Sequence, residues 1–231
     1  MRFAWSGDPT KQPLLFVHGS PGSFEAWAEF LVNKNLQEKY HLIAIDRPGY
    51  GGSGDDGVEP SLQKQSEEIF SALEFNKSGL KAIAIGHSYG GPVIARMAMD
   101  HPEKIGGLIF IAGALDPQLE HTKWFQYPAT WRFFRWVLPR ELTVCNDEVM
   151  ALKSDLELML PLWKKITAPS VLIQGEDDPL VMPGNLQFLK THLTNSQIAK
   201  ATMVKGLNHF VPWNRPDLVF EGIELLKTYQ P

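Results

Sequence analysis

The stretch IAIGHSYGG, residues 83–91, decides the fold. Mainly apolar residues lead into Gly86, Ser88 lies midway between Gly86 and Gly90, and a helical pattern continues to residue 100. A serine placed this way, after a strand and before a helix, is typical of a strained turn that exposes the serine hydroxyl. We therefore expect Ser88 to be a nucleophile, the alternative being a turn that needs its glycines for structural reasons alone.

The composition excludes several classes of protein. The chain has 231 residues, of which 44% are hydrophobic and 21% charged, and a net charge of −4, so a nucleic-acid partner is not expected. The single cysteine, Cys145, cannot form an internal disulfide, and no apolar run approaches the roughly 18 residues of a membrane span. The first residues lack the pattern of a secretory signal, so we expect a cytoplasmic protein unless a leader has been removed.

Short apolar runs alternate with helical patterns along most of the chain. This alternation favours an α/β fold, in which a mostly parallel central sheet is flanked by helices on both faces. The predicted strands cover residues 14–18, 41–46, 81–86, 104–112, 169–175 and 198–205, and the predicted helices cover residues 24–36, 61–75, 89–100 and 214–229.

Residues 113–167 break this alternation and hold eight of the 25 aromatic residues. We expect them to form a small helical cap over the top of the sheet, inserted into a core made of residues 1–112 and 168–231. Aromatic side chains of a cap can line an apolar substrate pocket or form the core of the cap itself. The candidate pocket residues are Trp124, Trp131, Phe134 and, outside the insertion, Phe210.

A serine hydroxyl needs a base to become a nucleophile. Of the seven histidines, His209 follows the last predicted strand, at the edge of the sheet where Ser88 is expected. His18 belongs to a turn that we interpret as structural, and His87, next to Ser88, should point away from it. We therefore predict His209 as the base.

The base in turn needs a carboxylate that fixes its tautomer. The sequence GEDDPLV, residues 175–181, follows a predicted strand, and Asp178 is the predicted acid. Asp177 and Asp116 are the alternatives.

Two backbone N–H groups are needed to receive the oxyanion. The first should come from Tyr89, directly after the serine. The second should come from the loop HGSPGS, residues 18–23, in which Ser20 is the best candidate. Pro21 has no N–H group and can only shape the turn.

Five motifs in order resemble the α/β-hydrolase superfamily: HGSPGS (18–23), DRPGYGGS (46–53), GHSYGG (86–91), GEDDPLV (175–181) and NH (208–209). The resemblance runs from residue 14 to residue 229 and implies an eight-stranded sheet with the cap inserted after strand 6. Family members usually have two strands before the strand that leads into the HG motif, whereas only 13 residues precede Leu14 here. That is room for about one strand.

The resemblance also implies a chemistry. Epoxide hydrolases and haloalkane dehalogenases of similar layout carry an aspartate at the position of Ser88, whereas serine esterases carry a serine. We therefore expect hydrolysis of a small, largely apolar carboxylic ester, with a small-molecule substrate as partner and no cofactor or metal. The alternatives are a proline iminopeptidase, a carbon–carbon bond hydrolase or a slow-turnover ligand receptor. The sequence predicts no oligomeric state.

Overall fold

A seven-stranded, mostly parallel sheet forms the centre of the computed structural model, which describes residues 1–121, 131 and 136–229. The spatial order of the strands is β1-β3-β2-β4-β5-β6-β7, in which β1 pairs antiparallel with β3 and every other neighbouring pair is parallel. The strands are β1 (Phe3–Gly7), β2 (Pro13–Val17), β3 (His41–Ile45), β4 (Ala82–His87), β5 (Ile105–Ile111), β6 (Ser170–Gly175) and β7 (Ile198–Val204).

All six predicted strands are present, and β1 occupies the short segment before them. The resemblance implies eight strands, but the sheet in the described residues has seven, because a single strand precedes β2. The insertion therefore follows β5, which corresponds to the sixth strand of that eight-stranded arrangement.

Helices flank the sheet as predicted, with differences in detail. The predicted helix over residues 61–75 continues as a 3-10 helix from residue 71, and the last helix, Pro216–Lys227, is preceded by a separate short one, Val211–Asn214. The pattern over residues 24–36 predicts a single helix, but the chain forms a 3-10 turn and two short helices, because Asn33 starts a new helix by accepting a hydrogen bond from the Leu36 N–H (3.1 Å). The helices are α1 (Ala28–Leu31), α2 (Lys34–Lys39), α3 (Leu62–Phe70), α4 (Gly90–Asp100), α5 (Arg140–Met159), α6 (Gly184–His192), α7 (Val211–Asn214) and α8 (Pro216–Lys227).

The core lies on both faces of the sheet. Successive strand residues point to opposite faces, so Leu15 belongs to one apolar cluster and Phe16 to the other. The first cluster contains side chains of α3 and α4, and the second contains side chains of α1 and α8. This double covering explains why the strands read as continuous apolar runs.

The insertion contributes a long helix to this core. Leu152, Leu156 and Met159 of α5 are buried in the first cluster. The assignment of residues 113–167 as a cap stays a prediction. Among the described residues, no helix has the length and the apolar character that a bilayer crossing requires.

Candidate active site

Ser88 occupies a strained turn between β4 and α4. Its φ is +54°, in the left-handed region that residues with a side chain seldom adopt. The Ser88 N–H donates to the Ile111 carbonyl (3.0 Å), so the turn is tied to the end of β5. The strain predicted for this turn is therefore present.

The two glycines around Ser88 are required by close backbone contacts. A Cβ on Gly86 would lie 2.4 Å from the Gly90 carbonyl oxygen, and a Cβ on Gly90 would lie 2.3 Å from the Val17 carbonyl oxygen. Any side chain at either position would push α4 away from the sheet, and Ser88 would move with it.

His209 and Asp178 form a buried hydrogen-bonded pair. His209 lies between β7 and α7, and its Nδ1–H donates to Asp178 Oδ2 (2.8 Å). Asp178 lies in the turn after β6, where its Oδ1 accepts from the backbone N–H groups of Leu180 and Val181 (both 2.9 Å) and its Oδ2 accepts from Gln174 Nε2 (3.1 Å). The carboxylate is therefore held in place on several sides.

These contacts decide the protonation of the pair. Burial raises the pKa of Asp178, but the hydrogen bonds from His209 and from the Val181 N–H outweigh it, and the pKa lies below its ordinary value. Asp178 is therefore a carboxylate at neutral pH. It holds the proton on Nδ1 of His209, which leaves Nε2 free to accept a proton.

The two alternative acids, Asp177 and Asp116, differ from Asp178 in exposure or in hydrogen-bond partners. The Asp177 side chain is exposed, and the backbone N–H of this residue donates to the Leu207 carbonyl (3.0 Å). The Asp116 carboxylate accepts from the Gln118 N–H (2.9 Å). Of the three candidates, Asp178 is the one hydrogen-bonded to His209.

His87 supports the loop that carries His209. Its Nε2–H donates to the His209 carbonyl (3.0 Å), and its ring packs edge-on against Trp213. Burial, followed by the nearby His209, lowers the pKa of His87 to about 3. His87 is therefore a neutral donor that ties the loop of His209 to the residue before Ser88.

The loop HGSPGS, residues 18–23, which we call the HG loop, lies directly against the Ser88 turn. A Cβ on Gly19 would lie 2.8 Å from Ser88 Cβ, so only glycine permits this approach. His18 is buried, donates from Nδ1 to the Gly19 carbonyl (2.7 Å) and accepts from the Arg47 N–H at Nε2 (3.0 Å). These contacts hold His18 in the turn, and Gly19, which precedes the predicted donor Ser20, lies against Ser88.

The first predicted donor, Tyr89, follows Ser88 in the turn. Its backbone forms the N-cap of α4, where backbone N–H groups are not used by the helix. The N-terminus of α4 also carries the partial positive charge of the helix dipole next to Tyr89.

The candidate pocket residues are described only in part. Trp131 and Phe210 have exposed fractions of 61% and 51%, and the ring of Phe210 lies 5.9 Å from that of His209. Trp124 and Phe134 lie outside the described residues.

Sequence reasoning missed a buried ion pair behind the HG loop. Arg47 and Glu148 are both fully buried, with Arg47 Nη1 2.5 Å from Glu148 Oε1. Arg47 stands in the DRPGYGGS motif but received no role. The burial of Glu148 could have been predicted from its spacing, because it lies four residues from Val144 and four from Leu152 on the buried face of α5.

In the stretches that the structure describes, no three His, Cys, Asp or Glu side chains are grouped closely enough to hold a metal ion.

Comparison with known proteins relates the chain to a family of known fold. Residues 12–144 match the family model described as the alpha/beta hydrolase fold. Epoxide hydrolase 1 of Caenorhabditis elegans is 27% identical over 143 residues, covering 58% of this chain and 34% of that protein. The pimeloyl-[acyl-carrier protein] methyl ester esterase of Edwardsiella ictaluri is 31% identical over 104 residues, covering 45% of this chain and 37% of that protein. The aligned parts are thus about a third of these two relatives.

The solved structure of a thermophilic esterase from Thermogutta terrifontis matches the whole chain. Its TM-score is 0.74 at 18% identity, and the match covers 100% of this chain and 94% of that one. At this identity the likeness establishes the fold.

Proposed function

The chain belongs to the α/β hydrolase fold family, and we propose that it hydrolyses a small, largely apolar carboxylic ester through an acyl-enzyme on Ser88. The observation that carries the proposal is the buried pair of His209 and Asp178, attached through His87 to the strained turn of Ser88. A pair of this kind is what a serine needs in order to become a nucleophile.

The reaction follows from the roles that these groups can take. His209 Nε2 accepts the proton of the Ser88 hydroxyl while its oxygen attacks the carbonyl carbon of the ester. The imidazolium that forms is stabilised by the Asp178 carboxylate. The oxyanion accepts hydrogen bonds from the N–H groups of Tyr89 and Ser20.

His209 then returns its proton to the leaving alcohol, and the acyl group stays on Ser88. A water molecule repeats the sequence with the same base, which releases the carboxylic acid and restores the serine. The net reaction adds one water to one ester bond.

The residue at the turn selects among the chemistries of the family. An epoxide hydrolase of the kind considered above needs a carboxylate there, and this chain has the hydroxyl of Ser88. The partial likeness to Epoxide hydrolase 1 therefore supports the shared fold, and the serine supports acyl transfer.

The substrate class rests on Phe210 and on the aromatic content of the insertion. Phe210 is exposed beside His209, and the insertion that we propose as a cap, residues 113–167, is rich in tryptophan and phenylalanine. Such a lining favours an apolar acyl or alcohol group.

The test is the hydrolysis of p-nitrophenyl esters of increasing acyl length by the wild type and by Ser88→Ala. We expect sustained turnover in the wild type and a loss of at least about 10³-fold in the variant, since the nucleophile is gone. The exposed Ser154 of α5 provides the control, and Ser154→Ala should keep full activity.

Equal turnover in Ser88→Ala would contradict the proposal. If the folded wild type cleaves none of these esters, a peptidase, a carbon–carbon bond hydrolase or a receptor becomes the better description.

A further inference from the structure

The guanidinium of Arg47 donates hydrogen bonds to backbone carbonyl groups of the HG loop. Nε donates to the His18 carbonyl (3.0 Å) and Nη2 donates to the Gly19 carbonyl (2.9 Å). The same Nη2 donates to the Ser20 hydroxyl (2.5 Å). One side chain thus contacts three consecutive residues of this loop, and it is fully buried while doing so.

These contacts fix the direction of a neighbouring N–H. In a trans peptide the C=O and the N–H point in opposite directions from the same plane. The Gly19 carbonyl points at Arg47, so the Ser20 N–H, in the same peptide unit, points away from Arg47. Gly19 also lies against Ser88, so this peptide unit is next to the turn of the proposed nucleophile.

Arg47 also contacts the residue that supplies the other proposed donor. Its guanidinium carbon lies 4.6 Å from the ring centre of Tyr89 and 4.9 Å from that of Tyr50. The cation therefore lies against two aromatic rings, where cation–π attraction adds to its hydrogen bonds.

A buried guanidinium needs a counter-charge, and the insertion supplies it. Glu148 of α5 accepts from Arg47 Nη1 (2.5 Å), from Gln65 Nε2 (2.9 Å) and from the Tyr50 hydroxyl (2.7 Å). It also accepts a hydrogen bond from the Ser20 hydroxyl. Removing the charge of Glu148 would leave Arg47 buried without a counter-charge, and Arg47 would have to move or recruit water.

We propose that Glu148 is a positioning residue for the oxyanion hole: through Arg47 it holds the Gly19–Ser20 peptide in the orientation that presents the Ser20 N–H to the substrate oxyanion. The docking of α5 and the assembly of the oxyanion hole are then one event. This inference rests on the proposed function, because it assigns a support to the donor of that same reaction.

The test compares Glu148→Gln with Glu157→Gln, a substitution of the same kind at an exposed position of the same helix. Active sites are first titrated to completion with an irreversible fluorophosphonate, so that every rate is expressed per competent Ser88. Three quantities are then measured: the acylation rate per site, KM, and the affinity for phenylboronic acid, whose tetrahedral adduct with a serine resembles the oxyanion intermediate.

For Glu148→Gln we expect a 10- to 100-fold slower acylation per site, somewhat less than the roughly 10²–10³-fold that loss of an oxyanion donor costs. The KM should stay within about threefold, and the affinity for phenylboronic acid should fall in parallel with the rate. Glu157→Gln should match the wild type in all three quantities.

A normal rate per titrated site in Glu148→Gln would overturn the inference, even if the melting temperature falls, because Glu148 would then serve stability alone. A rise in KM with unchanged acylation would overturn it as well. A wild type and Glu157→Gln that cleave none of the esters would instead refute the proposed function, and the inference with it.

If Glu148→Gln yields no folded protein, Tyr50→Phe decides. This change removes one donor to Glu148 and leaves both charges in place. We expect a two- to tenfold loss of acylation rate per site with an unchanged KM, whereas an unchanged rate would contradict the inference.

Discussion

At the scale of single residues, Asp178 sets the electrostatics of the candidate site. Its carboxylate accepts hydrogen bonds from the His209 ring and from two backbone N–H groups. These bonds together lower the pKa of Asp178 in spite of its burial. This charge favours the His209 tautomer with its proton on Nδ1, which is the one that the proposed reaction requires.

Replacing this carboxylate by an amide tests its role. In Asp178→Asn the amide can donate to His209 Nδ1 and so favour the wrong tautomer, and we expect kcat to fall by about 10⁴-fold with little change in KM. The neighbouring Asp177→Asn is the control and should keep full activity, since Asp177 is exposed. The measurement is steady-state ester hydrolysis, and a large loss in Asp177→Asn or Asp116→Asn instead would assign the acid elsewhere.

The same variant gives a second readout in the pH dependence of stability. Because the pKa of Asp178 is lower in the folded protein than in the unfolded chain, the unfolded chain binds the proton first as pH falls. The stabilisation is therefore complete above the ordinary carboxyl pKa of about 3.9 and is lost as pH falls through the folded value. Urea unfolding between neutral and acidic pH should show this loss in the wild type, whereas Asp178→Asn should lack this contribution.

The residues that could be predicted are those with a local signature. Ser88 is identified by its glycines and by the strand and helix on either side, and His209 by its place after the last strand. The acid could not be chosen by pattern alone, because Asp177 and Asp178 are adjacent and only the turn after β6 decides which side chain faces inward. Arg47 and Glu148 are 101 positions apart, so their pairing depends on how α5 packs.

At the scale of elements, Asn185 of α6 anchors the chain where it leaves the sheet after β5. Its Oδ1 accepts from the backbone N–H groups of Leu115 (2.7 Å) and Asp116 (2.8 Å), and Asn185 itself is almost fully buried. The start of the insertion is therefore held against α6 by one side chain.

Asn185→Ala tests this anchor. The change leaves two backbone N–H groups without their acceptor, and we expect the free energy of unfolding to fall by about 2 kcal/mol. Gln187→Ala, an exposed position on the same helix, should change it by less than about 0.5 kcal/mol. The measurement is urea unfolding of both variants, and equal stabilities would show that the anchor contributes nothing.

Elements buried on two sides could be predicted, whereas marginal ones could not. Five of the six parallel strands, β2 to β6, read as apolar runs because helices cover both faces of the sheet, whereas β7 is a partly exposed edge strand. β1 is a partly exposed edge strand with a polar residue and a glycine at its end, so only the available chain length indicated it. The break within residues 24–36 follows from a single capping residue, Asn33, which an apolar pattern does not register.

At the scale of the whole molecule, the parallel sheet brings three distant parts of the sequence to one edge. Ser88 follows β4, Asp178 follows β6 and His209 follows β7, and the carboxyl ends of parallel strands meet at the same edge. The insertion joins this arrangement through α5, which buries apolar side chains in the core and Glu148 behind the HG loop.

The measurement that tests the account most directly is the mass of the protein during turnover. The wild type is mixed with a p-nitrophenyl ester, quenched in acid within the burst, and analysed by intact-mass spectrometry and peptide mapping. The account predicts a mass increase of one acyl group located on Ser88, absent from Ser88→Ala. An acyl adduct on a residue other than Ser88, or hydrolysis that continues unchanged in Ser88→Ala, would contradict it.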